Sequence, residues 1–383
     1  MGSNGMNIQE NVSLREYSAM RLGGKARFYC EVHSEDDLKK AVDFAKQKDL
    51  PLIVVGQGSN IVWRDEGFDG LLIANRITGR KVLTDNEKSA TVWIGAGEDW
   101  DKIVEWTVKK NLSGIEFLSS IPGLAGAAPV QNIGAYGAEI AQTLVELSAF
   151  DTRSGDFLII KKQACGFAYR TSRFKTADKG HYIIASITLK LSKSPPTPPF
   201  YESLAKYFTR QNFKETSGGQ ASHAREYTPK MIREAVIAIR AVKLPSPARV
   251  ANNGSFFINP IISKSQFEKL QKKYPDIKGW PQHQNLDASN RGIPSLQASG
   301  LGAGQAHELK MVKISAGWLM EEAGLKGVHD KETGMATWPA QALVLVNEHA
   351  KNTADLLVFK QKVQTKIYEM FGIVLEQEPE LLP

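Results

Sequence analysis

Residues 121–137 read Ile-Pro-Gly-Leu-Ala-Gly-Ala-Ala-Pro-Val-Gln-Asn-Ile-Gly-Ala-Tyr-Gly. Five of the first eight are glycine or alanine. Such residues look too open for a core, and they let backbone N–H groups come close to a ligand. Gln131 and Asn132 add side-chain donors and acceptors that a merely structural loop seldom needs. On its own, the segment suits a tight multi-turn connection as well as a cradle. A second glycine loop upstream favours the cradle.

That loop is Gly56-Gln57-Gly58-Ser59-Asn60, which comes after the apolar run Leu52-Ile53-Val54-Val55, a buried strand feeding a turn with exposed amides. A dinucleotide-binding Rossmann unit does not fit, because the third glycine is missing. The residues beyond the loop, Ile61-Val62-Trp63 and Gly70-Leu71-Leu72-Ile73, are strand-like rather than helical. No Walker lysine is present either. A phosphate loop between strands, joined to a later Gly/Ala/Asn loop, points to a nucleotide cofactor laid across two lobes.

At 383 residues the chain can form two or three domains. Its 48 Lys and Arg against 41 Asp and Glu give a formal +7, spread without a long basic block. That balance suits an anionic ligand and argues against nucleic acid as a partner. Cys30 and Cys165 lie far apart without metal-ligand spacing, so reduced thiols are expected, with neither a disulfide framework nor a metal. No apolar run approaches the roughly 18 residues of a membrane span. The start has no basic n-region or apolar h-region, and Met6 stands where myristoylation wants Ser or Thr. No membrane insertion, a cytoplasmic location and a monomer are expected.

Residues 26–32 are strand-like, Ser34-Glu35-Asp36-Asp37 opens a helix, and 38–48 keep a helical period. Further strands are expected at 90–95, 144–150, 157–161 and 182–191, with a helix at 100–110. Ser192-Lys193-Ser194-Pro195-Pro196-Thr197-Pro198-Pro199 is a boundary or an exposed loop. Beyond it, helices are expected at 228–242, 263–273, 316–323 and 353–371, a strand at 342–346, and a polar turn at 252–260. Residues 281–310, rich in Gln, Ser, Gly, Ala and Asn, read as a long surface insertion.

Several segments in this order resemble the UDP-N-acetylenolpyruvoylglucosamine reductase (MurB) family: both glycine loops, Phe167-Ala168-Tyr169-Arg170-Thr171-Ser172-Arg173-Phe174-Lys175, Gly254-Ser255-Phe256-Phe257-Ile258-Asn259-Pro260, Ala316-Gly317-Trp318-Leu319 and Leu375-Glu376-Gln377-Glu378. The resemblance covers nearly the whole chain. It implies an α+β fold: a two-lobed FAD-binding unit of the vanillyl-alcohol-oxidase/PCMH type plus a C-terminal α/β substrate-binding domain. The lobes would be 8–80 and 81–225, with a Pro-rich, Tyr-bearing lid loop near 192–210. The substrate domain would be 245–372, with the insertion inside it, and 373–383 a tail carrying Glu378. The implied reaction reduces an enolpyruvyl UDP-sugar to UDP-N-acetylmuramate, with FAD as cofactor and NADPH as hydride donor.

Hydride addition to an enolpyruvyl carbon builds negative charge on the neighbouring carbon and its carboxylate, so cationic or donor groups and a proton source are needed there. The resemblance gives the first role to Arg170, proton donation to Ser255 and the acidic role to Glu378. Without it, these would pass for a surface ion-pair partner, a turn residue and an exposed C-terminal charge. For the cofactor it marks Gly56, Gln57, Gly58, Ser59, Asn60, Ile121, Pro122, Gly123, Gly126, Gln131, Asn132, Gly134, Ala135, Tyr136 and Gly137. For substrate it marks Tyr169, Tyr201 on a mobile lid loop, Arg240, Lys243, Asn259, Lys313 and Gln341. One departure stands out: two residues past the acid, where the family has Arg, this chain has Glu380. Two rivals remain at this point, another FAD oxidoreductase such as an alcohol or sugar oxidase, and a non-catalytic nucleotide-sugar-binding protein.

Overall fold

A computed structural model describes residues 6–211, 226–282 and 311–383. Seven helices lie among these residues: α1 (Glu35–Gln47), α2 (Trp100–Lys109), α3 (Glu202–Arg210), α4 (Pro229–Lys243), α5 (Lys264–Lys273), α6 (Ala316–Glu322) and α7 (Thr353–Phe371).

The first sheet has the spatial order Gln9–Ser13, Lys25–Val32, Phe68–Asn75, Leu52–Val55, antiparallel at its first pair and parallel thereafter. Its central strand Phe68–Asn75 is buried almost throughout, as a parallel strand covered on both faces must be. Helix α1 starts at Ser34, whose hydroxyl accepts the Asp37 N–H, and it packs Leu38, Ala41, Val42 and Ala45 on this sheet. The strand Leu52–Val55 is left at the sheet's edge, and its end delivers the first glycine loop into open space.

The chain changes sheet at Gly79. The strands Phe157–Lys161, Leu144–Asp151, Tyr182–Ser192, Ser89–Gly95 and Arg80–Asp85 then form one antiparallel sheet in that spatial order. Its core holds Ile103, Val104 and Val108 of α2 against Val92, Ile94, Leu147 and Leu189. Cys30 and Cys165 are free and buried, and burial pushes their thiols up to about 12 and about 11. They stay neutral and unreactive at physiological pH.

The C-terminal unit has a four-stranded sheet, Ala251–Ser255, Gln341–Asn347, Met335–Trp338, His329–Asp330, and a three-stranded one, Ile261–Ser263, Met311–Ile314, Gly279–Gln282. Its core of Phe256, Phe257, Leu319, Phe359 and Ile367 also takes in Met20, Leu22 and Val62 from the N-terminal unit, so the two halves share apolar interior. The last strand, Glu380–Leu382, pairs in parallel with Ile61–Trp63. Among the described residues, no helix is long and apolar enough to cross a membrane.

Five expectations need correction. The segment 121–137 is not too open for a core: Ala125, Ala128, Asn132 and Ile133 are buried, their small size admitting close backbone approach. Residues 252–255 are no turn but belong to the strand Ala251–Ser255. The lid near 192–210 is loop only as far as Tyr201, because α3 begins at Glu202. The insertion at 281–310 starts later than expected, since Pro281 and Gln282 sit in the strand Gly279–Gln282; the rest of it lies outside the described residues. The tail 373–383 does not hang free: Gln377 bridges to Phe257 and Glu380–Leu382 pairs with Ile61–Trp63.

Asp65 bolts the C-terminal unit to the first. Its carboxylate accepts the Thr353 and Ala354 N–H groups at 2.7 and 3.0 Å, two of the open donors at the start of α7, while Asn352 caps the Asp355 N–H at 2.9 Å. Asp65→Ala therefore lowers unfolding free energy by about 1–2 kcal/mol, the usual worth of a cap. Urea melts of both proteins would reveal it, and coincident midpoints would show that water replaces the carboxylate without loss.

Candidate active site

The two glycine loops are stitched to each other by their own side chains. The Gln57 amide nitrogen donates to Asp99 at 2.8 Å while its oxygen accepts the Gly123 N–H at 3.1 Å. Ser59 Oγ donates to the Pro122 carbonyl at 3.0 Å, and the Asn60 amide donates to Gln131. Gly58 has φ +67, and a Cβ there would run into the Tyr17 carbonyl, so only glycine fits. Among the described residues, the backbone N–H groups of Gln57, Gly58, Ser59 and Asn60 have no protein acceptor.

Between the loops lies a cavity of about 300 Å³. It is walled by the edge strand Leu52–Val55, the 56–60 loop, Ile121 to Gly123, Gly126 and Gln131, with Lys175 and Lys179 on its rim. Glu380 also lines it and pairs with Lys179, so the unpaired N–H groups and the Lys175 ammonium make this an anion-binding cleft.

The loop 119–123 is itself held in place from outside. Ser120 has φ +59, and its N–H donates to Asp101 at 2.6 Å. Arg233 of α4 clamps the same carboxylate at 2.6 and 2.9 Å, and Arg240, one face along α4, donates to the Ser120 carbonyl at 3.2 Å. Burial works to raise the Asp101 carboxyl, but Arg233, the Ser120 N–H and Arg240 outweigh it and hold it below the usual range.

A second cluster sits beyond the cavity. Tyr169 and Arg170 form a two-residue turn closed by Ala168 and Thr171, with Arg170 at φ +54. The guanidinium donates to the Gly134 carbonyl at 2.6 Å and faces Glu378 Oε1 at 3.3 Å. It lies 5.2 Å from the Tyr169 ring centre, and Lys313 Nζ lies 4.6 Å from the same ring. Asn259 donates to the Tyr169 hydroxyl at 3.4 Å while accepting the Ala316 N–H at 2.9 Å.

Glu378 reaches this cluster through a short backbone bridge. Its N–H donates to the Phe256 carbonyl, and the Ile258 N–H donates to the Glu376 carbonyl, both at 2.9 Å. That bridge ties the Glu378 backbone to Phe256, the residue after Ser255, which is the exposed last residue of the strand Ala251–Ser255. Burial raises the Glu378 carboxyl above its ordinary value, against the pull of Arg170 and Lys175. Burial likewise lowers Lys175 and Lys313.

Of the residues marked from sequence, Gly56 to Asn60, Ile121, Pro122, Gly123, Gly126 and Gln131 line the cavity. Asn132, Gly134, Ala135, Tyr136 and Gly137 do not: the last four belong to the hairpin Gly134–Ala135/Ala138–Glu139 on the Arg170 side, and Asn132 precedes it. Tyr201 stands at the start of α3, half exposed, edge-on to Tyr136 at 6.0 Å. Arg240 is partly buried, whereas Lys243 ends α4 in solvent. Gln341 opens the strand Gln341–Asn347 and points its carbonyl at Gly317. Four participants were not marked: Asp101, Glu139, Lys175 and Lys179. Lys175 closes the quoted 167–175 segment, so its position in the motif was the available signal.

Comparison with known proteins agrees with this layout. Residues 26–160 match the family model described as FAD binding domain, and residues 246–382 match that of the UDP-N-acetylenolpyruvoylglucosamine reductase C-terminal domain. A UDP-N-acetylenolpyruvoylglucosamine reductase of Pseudomonas putida is 34% identical over 373 residues, 97% of this chain and 98% of that protein. The solved reductase (MurB) of Thermus caldophilus shares the fold at TM-score 0.60 and 21% identity, covering 99% of this chain and 100% of that one. The 6-hydroxy-D-nicotine oxidase of Arthrobacter nicotinovorans shares it more distantly, at TM-score 0.50 and 11% identity over 98% of this chain and 89% of that one. With both family models matched in order and a relative of this identity spanning nearly its whole length, the chain belongs to the UDP-N-acetylenolpyruvoylglucosamine reductase family.

Proposed function

We propose that this chain is the FAD-dependent, NADPH-driven reductase that converts UDP-N-acetyl-3-O-(1-carboxyvinyl)glucosamine to UDP-N-acetylmuramate in peptidoglycan synthesis. The observation that carries this is the meeting of Arg170 and Glu378, 3.3 Å apart, in a chain of this family. The cleft suits FAD: its free N–H groups, its glycine at φ +67 and the Lys175 ammonium group match a dinucleotide diphosphate. Residues 8–80 and 81–225 act as the two lobes holding it, through Gly56 to Asn60, Ile121, Pro122, Gly123, Gly126 and Gln131.

FAD held in this cleft would supply the redox chemistry, passing the hydride of NADPH on to the enolpyruvyl methylene carbon. Arg170 pairs with the substrate carboxylate, onto which charge moves as the double bond is lost. Burial raises the Glu378 carboxyl, which favours its protonated form, the form that donates a hydrogen bond there where an ionised carboxylate would repel. Ser255 gives its hydroxyl proton to the carbon bearing the ether oxygen, so CH₂=C becomes CH₃–CH. Tyr201 covers the diphosphate and Lys243 adds charge to it. Arg240 and Lys313 supply further charge, and Tyr169, Asn259 and Gln341 bind polar groups of the UDP-sugar within residues 245–372. The enzyme works as a monomer in the cytoplasm, where Cys30 and Cys165 remain thiols.

The purified protein is expected to be yellow, to bleach with NADPH and to recover its colour on adding the enolpyruvyl sugar. Rapid recovery in air alone would assign it to the oxidases instead. In Arg170→Ala the flavin spectrum and bleaching by NADPH persist, while reoxidation by the sugar falls by roughly 10²–10³-fold, the scale of losing one charge-stabilising donor. Unaffected reoxidation would remove Arg170 from the mechanism.

The raised Glu378 carboxyl also has a stability signature. A proton held more tightly in the folded chain adds stability that is fully present below the unfolded value, about 4.3, and is lost as pH rises through the folded value. The stability of wild type relative to Glu378→Gln therefore declines as pH rises from 4, then levels off. Each tenfold difference in proton affinity between folded and unfolded chains is worth about 1.4 kcal/mol. Urea melts of both proteins between pH 4 and 8 measure it, and a difference that grows with pH would mean that Arg170 dominates.

A further inference from the structure

Asn132 carries a side chain of the kind that contacts cofactors, yet it is only 1% exposed and lies off the cavity wall. Its backbone is left-handed, with φ +48. Its amide makes three hydrogen bonds, all inward: Nδ2 donates to Glu139 Oε2 at 2.7 Å and to the Ala168 carbonyl at 3.1 Å, and Oδ1 accepts the Ala141 N–H at 3.2 Å.

Those partners belong to the two pieces of chain that hold Arg170. Glu139 ends the hairpin whose Gly134 carbonyl receives the guanidinium at 2.6 Å. Ala168 opens the turn on which Arg170 sits, and its N–H and carbonyl close that turn on Thr171 at 3.1 and 3.2 Å. Arg170 is itself left-handed, a conformation that a residue with a Cβ keeps only when its surroundings impose it. The hairpin also crowds the arginine, since a Cβ on Gly134 would come within 2.8 Å of Arg170 Nη1.

We propose that Asn132 is a positioning residue for Arg170: its amide ties the turn bearing the guanidinium to the hairpin bearing the guanidinium's acceptor, so that the charge points at the substrate carboxylate. The proposal rests on the reductase assignment above. Asparagine is required because the site asks for two donated bonds and one accepted bond from a short side chain in a left-handed backbone. Aspartate cannot donate, and alanine leaves the Ala141 N–H without its partner and the Ala168 carbonyl with Thr171 alone.

The test uses full-length, flavin-loaded protein and follows each half-reaction by stopped flow. In Asn132→Ala, reoxidation by the enolpyruvyl sugar slows by about 10- to 100-fold, the scale of a misplaced reacting group, while flavin content and reduction by NADPH stay within about twofold. In an Arg170→Ala background the same substitution adds nothing further, because it acts through that arginine. Equal loss in both half-reactions, or additive loss in the double variant, would show that Asn132 merely supports the fold. A crystal structure of the variant gives a reading independent of turnover: the guanidinium should leave the Gly134 carbonyl and Glu378, and an unmoved guanidinium overturns the proposal. If Asn132→Ala does not fold, Glu139→Ala removes one of the three bonds at a partly exposed position and is held to the same two readings. A wild-type protein that the sugar does not reoxidise would sink the reductase assignment, leaving the crystallographic reading to decide the role of Asn132.

Discussion

The strand Ile61–Trp63 comes directly after the first glycine loop, and the parallel partner it takes is the end of the chain, Glu380–Leu382. Around that pairing the Glu380 N–H donates to the Asn60 carbonyl and the Arg64 N–H to the Leu382 carbonyl, both at 2.9 Å. Asn60 also reaches Gln131 with its side-chain amide. One residue thus joins the loop of the first lobe, the loop of the second and the segment that carries the acid. A three-residue strand has little stability alone, so it persists because Leu382, Trp63 and Val62 are buried beneath it. The geometry of the reactive groups is a consequence: 376–378 are bridged to 256–258, and from there the Glu378 carboxyl faces Arg170.

Placing a carboxyl group there is unfavourable by itself. Burial disfavours its charge, and Arg170 and Lys175 only partly compensate. The same enclosure lowers Lys175 and Lys313, so neighbouring groups of both signs are pushed toward neutrality. A site of this kind is better matched to a bound anion than to its own empty state, since an anion gives the cations a partner and leaves Glu378 free to donate. Loop conformations are held to the same end. Ser120, Asn132, Tyr136 and Arg170 all have positive φ, and Ser120, Asn132 and Arg170 are each fixed by hydrogen bonds from another segment.

Much of this was legible in the residues. The helix start at Ser34, the strand–loop–strand around Gly58 and the run of buried β-branched residues in the second sheet come from local rules, and those rules hold here because tertiary packing agrees with them. Other elements were hidden for physical reasons. The strand Arg80–Asp85 is exposed at every position, so no alternation marks it. Helix α3 comes after a proline run that signals loop, and its amphipathic face needs α4 to become visible. At Asn132 the residue type announced a polar contact, but only the fold decides whether the amide faces a ligand or its own scaffold. Asp101 was invisible because its function is to hold Ser120, 19 residues further along and beyond the reach of any local motif.

Glu380 shows how the fold absorbs a departure from the family pattern. Its residue lines the cavity, where a free carboxylate would repel the diphosphate of a dinucleotide. Here it forms an ion pair with Lys179, which projects from a turn of the second lobe across the cavity rim. The pair cancels the added negative charge where it arises, and Lys175 remains as the cation on that rim. It also adds a contact between the second lobe and the final strand, whose remaining attachments run to the 60–64 segment and the C-terminal unit. The exchange of a positive for a negative side chain therefore leaves the cleft receptive to an anion, provided that Lys179 accompanies it.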